Sequence, residues 1–395
     1  MSTNHLWVAI IAGGQGTRLF PISHPGCPKQ FCHLDDKNAF VQSVIARFTS
    51  LGVKSTQILV IVTDDNQETL AKEQCIPRGI LSQNILKVSP NLGYAGCMIY
   101  TAKFIHDLDP SAIIINTPSD QYIAFNEEFA NTIETAVTSA AQGYPVIIGV
   151  KIGDIVTVMG CGHAIYSEDG NPCHQVKSFV EKPDRETADK IMRKGNSACN
   201  TGINVWKANL IHGLFPADEK YDGISTDDFM ARLGGLRVAV GNFEWYDCGT
   251  LKSLYEISQK TPNHKNASLG GGAFERVDCR RSLLYASKGM ELHVSGSEDD
   301  AVVFSVINEH PIVVVVKQSE CAKIKLLAED YFKHEEILTA DFSMGARNNT
   351  VLHSNISKDL IVGFVGVENY AIYVERKNDG NLVAIVSQQL RPQRS

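Results

Sequence analysis

Over the first 150 residues of this 395-residue chain, short apolar runs alternate with stretches of helical period, and few folds accept that order. Leu6–Ala12, Gln57–Thr63, Ile85–Val88, Ala112–Asn116 and Val146–Val150 read as buried strands. Between them, Ala39–Leu51, Asn66–Cys75, Ala95–Leu108 and Phe125–Gln142 read as helices; the first carries Phe40, Val44, Ile45, Phe48 and Leu51 at helical spacing. Such alternation implies right-handed crossovers and a mostly parallel sheet, so an α/β, Rossmann-like domain is expected. Ligands on a sheet of this kind sit beyond the carboxyl ends of the strands. The segment leaving the first strand, residues 12–31, lies at that edge.

That segment is built for an anion. Gly13, Gly14 and Gly16 allow a sharp turn and leave backbone N–H groups bare, and successive bare N–H groups form a concave anion site. Arg18 and Lys29 add a positive charge at each end, a forked guanidinium and a mobile point charge. By itself a glycine-rich loop is as often a tight turn. The spacing is not that of a Walker A loop, and Leu19 stands where a dinucleotide fingerprint needs its third glycine.

Composition narrows the class. Hydrophobic content of 44% and charged content of 21% are ordinary for a globular enzyme. A net charge of −7 offers no basic stripe for nucleic acid. No apolar run is long enough to span a bilayer, and no leader is expected. The ten cysteines include no C-x-x-C pair, so neither a zinc site nor a disulfide framework is indicated and a cytoplasmic location is expected.

The run Gly-Gly-x-Gly-Thr-Arg-Leu-x-Pro followed by Pro28-Lys29-Gln30-Phe31 resembles the signature of the sugar-1-phosphate nucleotidylyltransferases, nearest to their mannose-1-phosphate guanylyltransferase branch. The resemblance covers roughly residues 6–315, with its motifs in family order. It implies that an NTP and a sugar-1-phosphate combine to an NDP-sugar and pyrophosphate. Gly13, Gly14, Gly16, Thr17 and Arg18 would then bind the nucleotide, with Arg18 and Lys29 catalytic. Thr117-Pro118-Ser119-Asp120 matches the family's Pro-x-Asp-His and implies Asp120 as an Mg²⁺ ligand, although Gln121 replaces the His. Trp245-Tyr246-Asp247-Cys248-Gly249 matches Trp-x-Asp-x-Gly and implies Asp247 as the second ligand; on residues alone, either Asp could be a cap. Two oxygen donors suit Mg²⁺. Trp245 reads as core packing.

Gly160-Cys161-Gly162, Phe179-Val180-Glu181-Lys182-Pro183 and Asn200-Thr201-Gly202 match family motifs that face the sugar phosphate. They imply Gly162, Glu181, Lys182, Asn200 and Thr201 as its binding residues; a plain bulge at Gly162 and a surface ion pair at 181–182 are the alternatives. The branch's Gly-Arg-Asn-Thr-Ala-Pro stretch is Leu92-Gly93-Tyr94-Ala95-Gly96-Cys97 here, without its Arg, Asn and Thr, and Phe20 and Ser23-His24 also depart. GTP and mannose-1-phosphate are therefore a preference, with another base, hexose or heptose phosphate open.

The tail repeats itself: Gly296–Phe304 resembles Gly366–Val374, an offset of 366 − 296 = 70, and Leu283–Ser287 resembles Val351–Asn355. Two similar β units are expected, about 280–319 and 348–389, within a β-rich domain at 273–395. They follow a nucleotidyltransferase domain at 1–262 and a linker at Thr261–Gly272. The tail reads as a structural or homo-oligomerising module, regulation being its other use. The duplicated tail and the lost Arg-Asn-Thr also suit a rival reading, a non-catalytic paralogue that binds a nucleotide sugar. The retained charges Arg18, Lys29, Asp120, Lys182 and Asp247 favour the enzyme.

Overall fold

The computed structural model describes residues 3–14, 16–33, 38–215, 221–307, 310–333, 350–353, 361–365, 367, 370–378 and 381–388. They pack as two compact units, Met1–Gly13 with Val41–Asp247 and Gly14–Phe40 with Cys248–Ser395.

The first unit opens with the expected alternation: β1 (Leu6–Ile11), α1 (Phe40–Ser50), β2 (Ile58–Val62), α2 (Asp65–Cys75), β3 (Ile85–Lys87), α3 (Gly93–Leu108) and β4 (Ile113–Pro118). A two-residue strand β5 (Tyr122–Ile123) precedes α4 (Glu127–Ala141) and β6 (Val146–Val150). Then follow α5 (Ile155–Gly160), β7 (His163–Tyr166), β8 (Cys173–Val180), α6 (Arg185–Lys194) and β9 (Ser197–Lys207). Helices α7 (Ala208–Leu214) and α8 (Thr226–Arg232), then β10 (Arg237–Gly241) and β11 (Trp245–Tyr246), complete it. Every residue of β2 and β6 is buried, which is why these strands are continuous apolar runs rather than alternating ones. The cap of α4 is Asn126, whose side chain accepts from the Phe129 N–H at 2.9 Å, and Phe129, Ile133, Ala136 and Ala140 bury one face.

Nine strands form one sheet in the order β3-β2-β1-β4-β9-β6-β10-β8-β7. Strands β3, β2, β1 and β4 are mutually parallel, and β10 is parallel to β6. β9 runs against both β4 and β6, so those two point the same way. The pairing Ile11↔Pro118 aligns the carboxyl ends of β1 and β4, so Gly13 and Asp120 leave the sheet from one edge. That edge is where α/β sheets bind ligands.

Among the described residues, the second unit holds α9 (Leu251–Ile257), α10 (Ile324–Lys333) and ten strands, β12 (Ala267–Leu269), β13 (Ala273–Val277), β14 (Leu283–Ala286), β15 (Met290–Ser295), β16 (Asp300–Ile307), β17 (His310–Lys317), β18 (Thr350–His353), β19 (Ile361–Val365), β20 (Tyr370–Arg376) and β21 (Leu382–Gln388). Two five-stranded sheets result, β12-β14-β16-β17-β19 and β13-β15-β21-β20-β18. Their inner faces share one core in which Leu292, Phe304, Val313, Phe364, Ile372 and Val386 meet. The linker expected at Thr261–Gly272 is instead partly sheet: Ala267–Leu269 pairs with Leu283–Tyr285, anchored by the buried Asn266, whose amide donates to the Cys279 carbonyl at 2.7 Å.

The sequence repeat becomes a repeat of pairings. β14 is parallel to β16, which is antiparallel to β17; β18 is parallel to β20, which is antiparallel to β21. The remaining strand of each copy is exchanged: β15 pairs with β21, and β19 with β17. Neither copy completes a sheet alone. Of the repeated segments, residues 354–355, 366 and 368–369 lie outside the described residues.

Equivalent positions 300 and 370 meet at the join, where the Tyr370 hydroxyl donates to Asp300 Oδ2 at 2.6 Å, both side chains being buried. Lys317 Nζ lies 3.2 Å from the other oxygen. Burial pushes the Asp300 carboxyl above its ordinary value despite these partners. Tyr370→Phe leaves that carboxylate less satisfied and is expected to cost about 1–3 kcal/mol of stability, measurable by denaturant unfolding. An unchanged unfolding midpoint would show that the hydrogen bond joining the copies contributes nothing.

Candidate active site

In the second unit the glycine-rich segment folds back on its own lysine. Gly16 has φ +69°, a conformation that favours glycine, and a Cβ there would collide with Lys29 Cβ and come within 2.9 Å of its backbone nitrogen. The Gln30 amide donates to the Gly14 carbonyl at 3.0 Å, and the Ser23 hydroxyl donates to the Gly16 carbonyl. Gly14 and Gly16 are thereby held close to Gln30 and Lys29. Thr17–Leu19 forms one 3-10 turn, with Arg18 exposed on it and Leu19 buried. Phe20 anchors the turn, its ring 5.3 Å from that of Tyr331 and 5.8 Å from Phe332 on α10. Lys29 is buried, its ammonium 5.5 Å from the Phe40 ring.

In the first unit, Gly13 ends the outflow of β1. Its carbonyl accepts from Thr63 Oγ1 at 3.1 Å, and a Cβ would lie 2.5 Å from Thr63 Cγ2. Across the sheet edge, the ribbon β5–β11 pairs Tyr122 with Tyr246 antiparallel. That register sets Asp247 opposite Gln121, so the two sequence-predicted metal ligands, Asp120 and Asp247, sit at one end of the ribbon. Asp120 is half-buried and Asp247 exposed.

The sugar-facing motifs meet on the same unit. Asn200 N–H donates to the Gly162 carbonyl at 2.8 Å, and Lys182 N–H donates to the Cys161 carbonyl at 3.2 Å. A Cβ on Gly162 would run into the Glu181 carboxylate and lie 2.6 Å from Phe179 Cζ, so the glycine is needed for close approach. Gly162 is not a bulge; the irregular step between β7 and β8 falls at Ile165–Tyr166. Glu181 and Lys182 pair at 3.6 Å with both side chains exposed, and Lys182 has φ +41°. Thr201 is buried, its hydroxyl donating to the Ile148 carbonyl at 2.9 Å. The Cys161 hydrogen bond and burial raise the Cys199 thiol pKa, with smaller contributions from the Asp247 and Glu181 charges. Pro118 lies under Gly202, where a Cβ would come within 2.9 Å of its ring. The end of β4 that leads to Asp120 therefore touches Asn200–Gly202 within β9.

Sequence reasoning missed two residues here. Tyr94, in the stretch lacking the branch's Arg, donates its hydroxyl to the Gly202 carbonyl at 2.8 Å. Burial, then the nearby Asp120 charge, raises its pKa, so it stays a neutral donor. Gln121, in the place of the family's His, donates to the Thr201 carbonyl at 2.7 Å and accepts from Trp245 Nε1 at 3.1 Å. Trp245 is buried, as a packing role requires, and also fixes that glutamine. The signal was present in the departures themselves, since each falls inside a motif.

Among the described residues no helix is long and apolar enough to cross a membrane. Residues 8–264 match the family model for nucleotidyl transferases. Mannose-1-phosphate guanylyltransferase 2 of Escherichia coli O157:H7 is 24% identical over 383 residues, 85% of this chain and 77% of that protein. A mannose-1-phosphate guanylyltransferase of Escherichia coli is 29% identical over 316 residues, 71% of this chain and 67% of that one. A solved structure described as a mannose-1-phosphate geranyltransferase from Thermus thermophilus shares the fold, with TM-score 0.68 and 23% identity over 83% of this chain and 99% of that one. A match over residues 8–264, on a chain carrying the motifs in order, settles the family: this chain belongs to the nucleotidyl transferases and is an enzyme of that class.

Proposed function

We propose that the enzyme joins GTP and mannose-1-phosphate to GDP-mannose and pyrophosphate. A phosphate oxygen of the sugar phosphate attacks the α-phosphorus in line, the bond to the β-phosphate oxygen breaks, and pyrophosphate leaves. The attacking oxygen is already ionised, so no strong general base is required. Catalysis then consists of aligning two anions and neutralising charge on the phosphoryl oxygens. Backbone N–H groups of Gly13, Gly14, Gly16 and Thr17, with Arg18, hold the triphosphate, and Lys29 meets the charge that develops. Glu181, Asn200 and Thr201 with the open backbone of Gly162 receive the sugar, and Lys182 its phosphate. Residues 1–262 are the catalytic domain in this reading and 273–395 a β-rich module, open to homo-oligomerisation. Ten free cysteines favour a reducing cytoplasm.

The observation that carries the reading is the β5–β11 ribbon, which sets Asp120 and Asp247 at one end, beside Asn200–Gly202 of β9. Two carboxylates form an oxygen donor set suited to Mg²⁺, which would supply charge neutralisation at the phosphates. Asp120→Asn and Asp247→Asn should each raise the Mg²⁺ concentration for half-maximal velocity at least about tenfold, because one charge facing the ion is lost. Unchanged Mg²⁺ dependence in both variants would remove them as ligands.

The decisive experiment is pyrophosphate release with Mg²⁺, each NTP being tried against hexose-1-phosphates and a heptose-1-phosphate. Release with GTP and mannose-1-phosphate alone supports the assignment. Release with another pair keeps the reaction and replaces the substrates, a change that Tyr94 would explain.

A further inference from the structure

Two thiols bracket the lysine of the glycine-rich segment. Cys27 closes a tight turn with His24, the two backbones exchanging hydrogen bonds of 3.1 and 2.9 Å. Cys32 follows the 3-10 turn Lys29–Phe31, its N–H bonded to the Lys29 carbonyl at 3.0 Å. These turns aim the side chains at each other, and the sulfurs lie 3.6 Å apart. Their surroundings differ. Cys27 is half-buried, and its hydrogen bond with Cys32 holds its pKa below that of an ordinary thiol. Cys32 is buried, its S–H against the carbonyls of Ile22 and Cys27 at 3.3 Å each, and the Cys27 contact and burial push its pKa well up. An accessible, readily ionised sulfur backed by a second thiol is the arrangement of an attacking and a resolving cysteine. Of the ten cysteines, only Cys27 and Cys161 are not buried.

We propose that Cys27 and Cys32 form a reversible modification site for small-molecule disulfides such as oxidised glutathione, closing a 27–32 disulfide around Lys29. The Cys27 thiolate attacks one sulfur of the disulfide, forming a mixed disulfide and releasing one glutathione thiolate. Cys32 gives up its proton to that thiolate or to solvent and attacks the Cys27 sulfur, releasing the second glutathione. Two protein thiols are oxidised and one glutathione disulfide is reduced to two thiols. A disulfide bond is about 2.05 Å long, so the sulfurs must close by about 1.5 Å from 3.6 Å. The Pro28–Phe31 turn must absorb that movement, and Lys29 with its contact to Gly16 moves with it. The loss of activity that follows rests on Lys29 acting as proposed above; the thiol chemistry does not.

The test is exposure of the full chain to oxidised glutathione, alkylation of remaining thiols and peptide mapping, with pyrophosphate release followed in parallel. A 27–32 link, reversed by dithiothreitol, is expected in the native sequence. Cys32→Ser should stop at glutathione on Cys27, and Cys27→Ser, with an unchanged Tm, should form neither species and keep its activity. Oxidised native protein should lose about tenfold or more in kcat, from misplacement of a catalytic group. Preferential modification of Cys161, or glutathione that stays on Cys27 of the native protein, overturns the proposal. A 27–32 link with undiminished activity upholds the modification site and counts against the role of Lys29.

Discussion

Lys29→Ala is expected to lower kcat by about 10²–10³-fold, the scale set by loss of one charged or hydrogen-bonding group that acts in the transition state. The Michaelis constants of both substrates should stay within a few-fold, because Arg18 and the backbone N–H groups still hold the nucleotide. The argument depends on the lysine's surroundings. Its stem is buried, it lies against Gly16, and its ammonium faces the Phe40 ring. A buried ammonium on a rigid turn keeps one position and needs little reorganisation as charge develops. Burial also means that truncation opens a cavity, so alanine alone confounds charge with packing. Lys29→Met keeps most of the volume and removes the charge. Steady-state kinetics with each substrate varied, alongside thermal unfolding, separates the two effects. Equal kcat losses in both variants, with Tm retained in the methionine one, assign the effect to charge; native kcat in Lys29→Met would remove Lys29 from catalysis.

How much of this was readable from residues alone depends on whether the information is local. Strands β1, β2, β3, β4 and β6 and helices α1 to α4 fall within a few residues of their sequence-drawn bounds, because full burial or helical period is written into each segment. The insertion of β9 between β4 and β6 was not readable, since a buried strand carries no mark of its direction. The repeat in the tail was visible as an offset of 70, but the exchange of β15 and β19 between copies depends on pairing at a distance. At the site, the motifs named side chains to look for, while their hydrogen bonds came only from the fold. Tyr94 lies in the stretch that reads as having lost an Arg, an Asn and a Thr, and its bond to the Gly202 carbonyl spans 108 positions. Gln121 likewise reads as a missing histidine until Thr201 and Trp245 are seen on either side of it. Nor does local pattern reveal that Gly14–Phe40 packs with the C-terminal unit, an attachment made by Phe20 against Tyr331 and Phe332.

Gly162→Ala should reduce kcat/KM by about 10²-fold when the sugar phosphate is varied, the cost of displacing positioning groups by about an ångström. The added Cβ would meet the Glu181 carboxylate and lie 2.6 and 2.7 Å from two atoms of the Phe179 ring. No left-handed backbone is involved at residue 162, so alanine itself is tolerated and the effect comes from contact. Glu181 is a flexible, exposed carboxylate and can swing away cheaply, but doing so removes the acceptor proposed for the sugar hydroxyls. The half-buried Phe179 ring, on β8, must give way as well, and Lys182 follows just beyond the end of that strand. Asn200 is coupled too, through its bond to the Gly162 carbonyl. Three proposed sugar-phosphate residues thus move together, and none of them is among those proposed to bind the nucleotide. The KM for the NTP should accordingly stay within a few-fold. Because the disturbance lies in ground-state placement, most of the loss should enter through KM for the sugar phosphate. An equal loss against both substrates with a lowered Tm would point to a general folding defect, and unaltered kinetics would mean that Gly162 and Glu181 do not face the sugar.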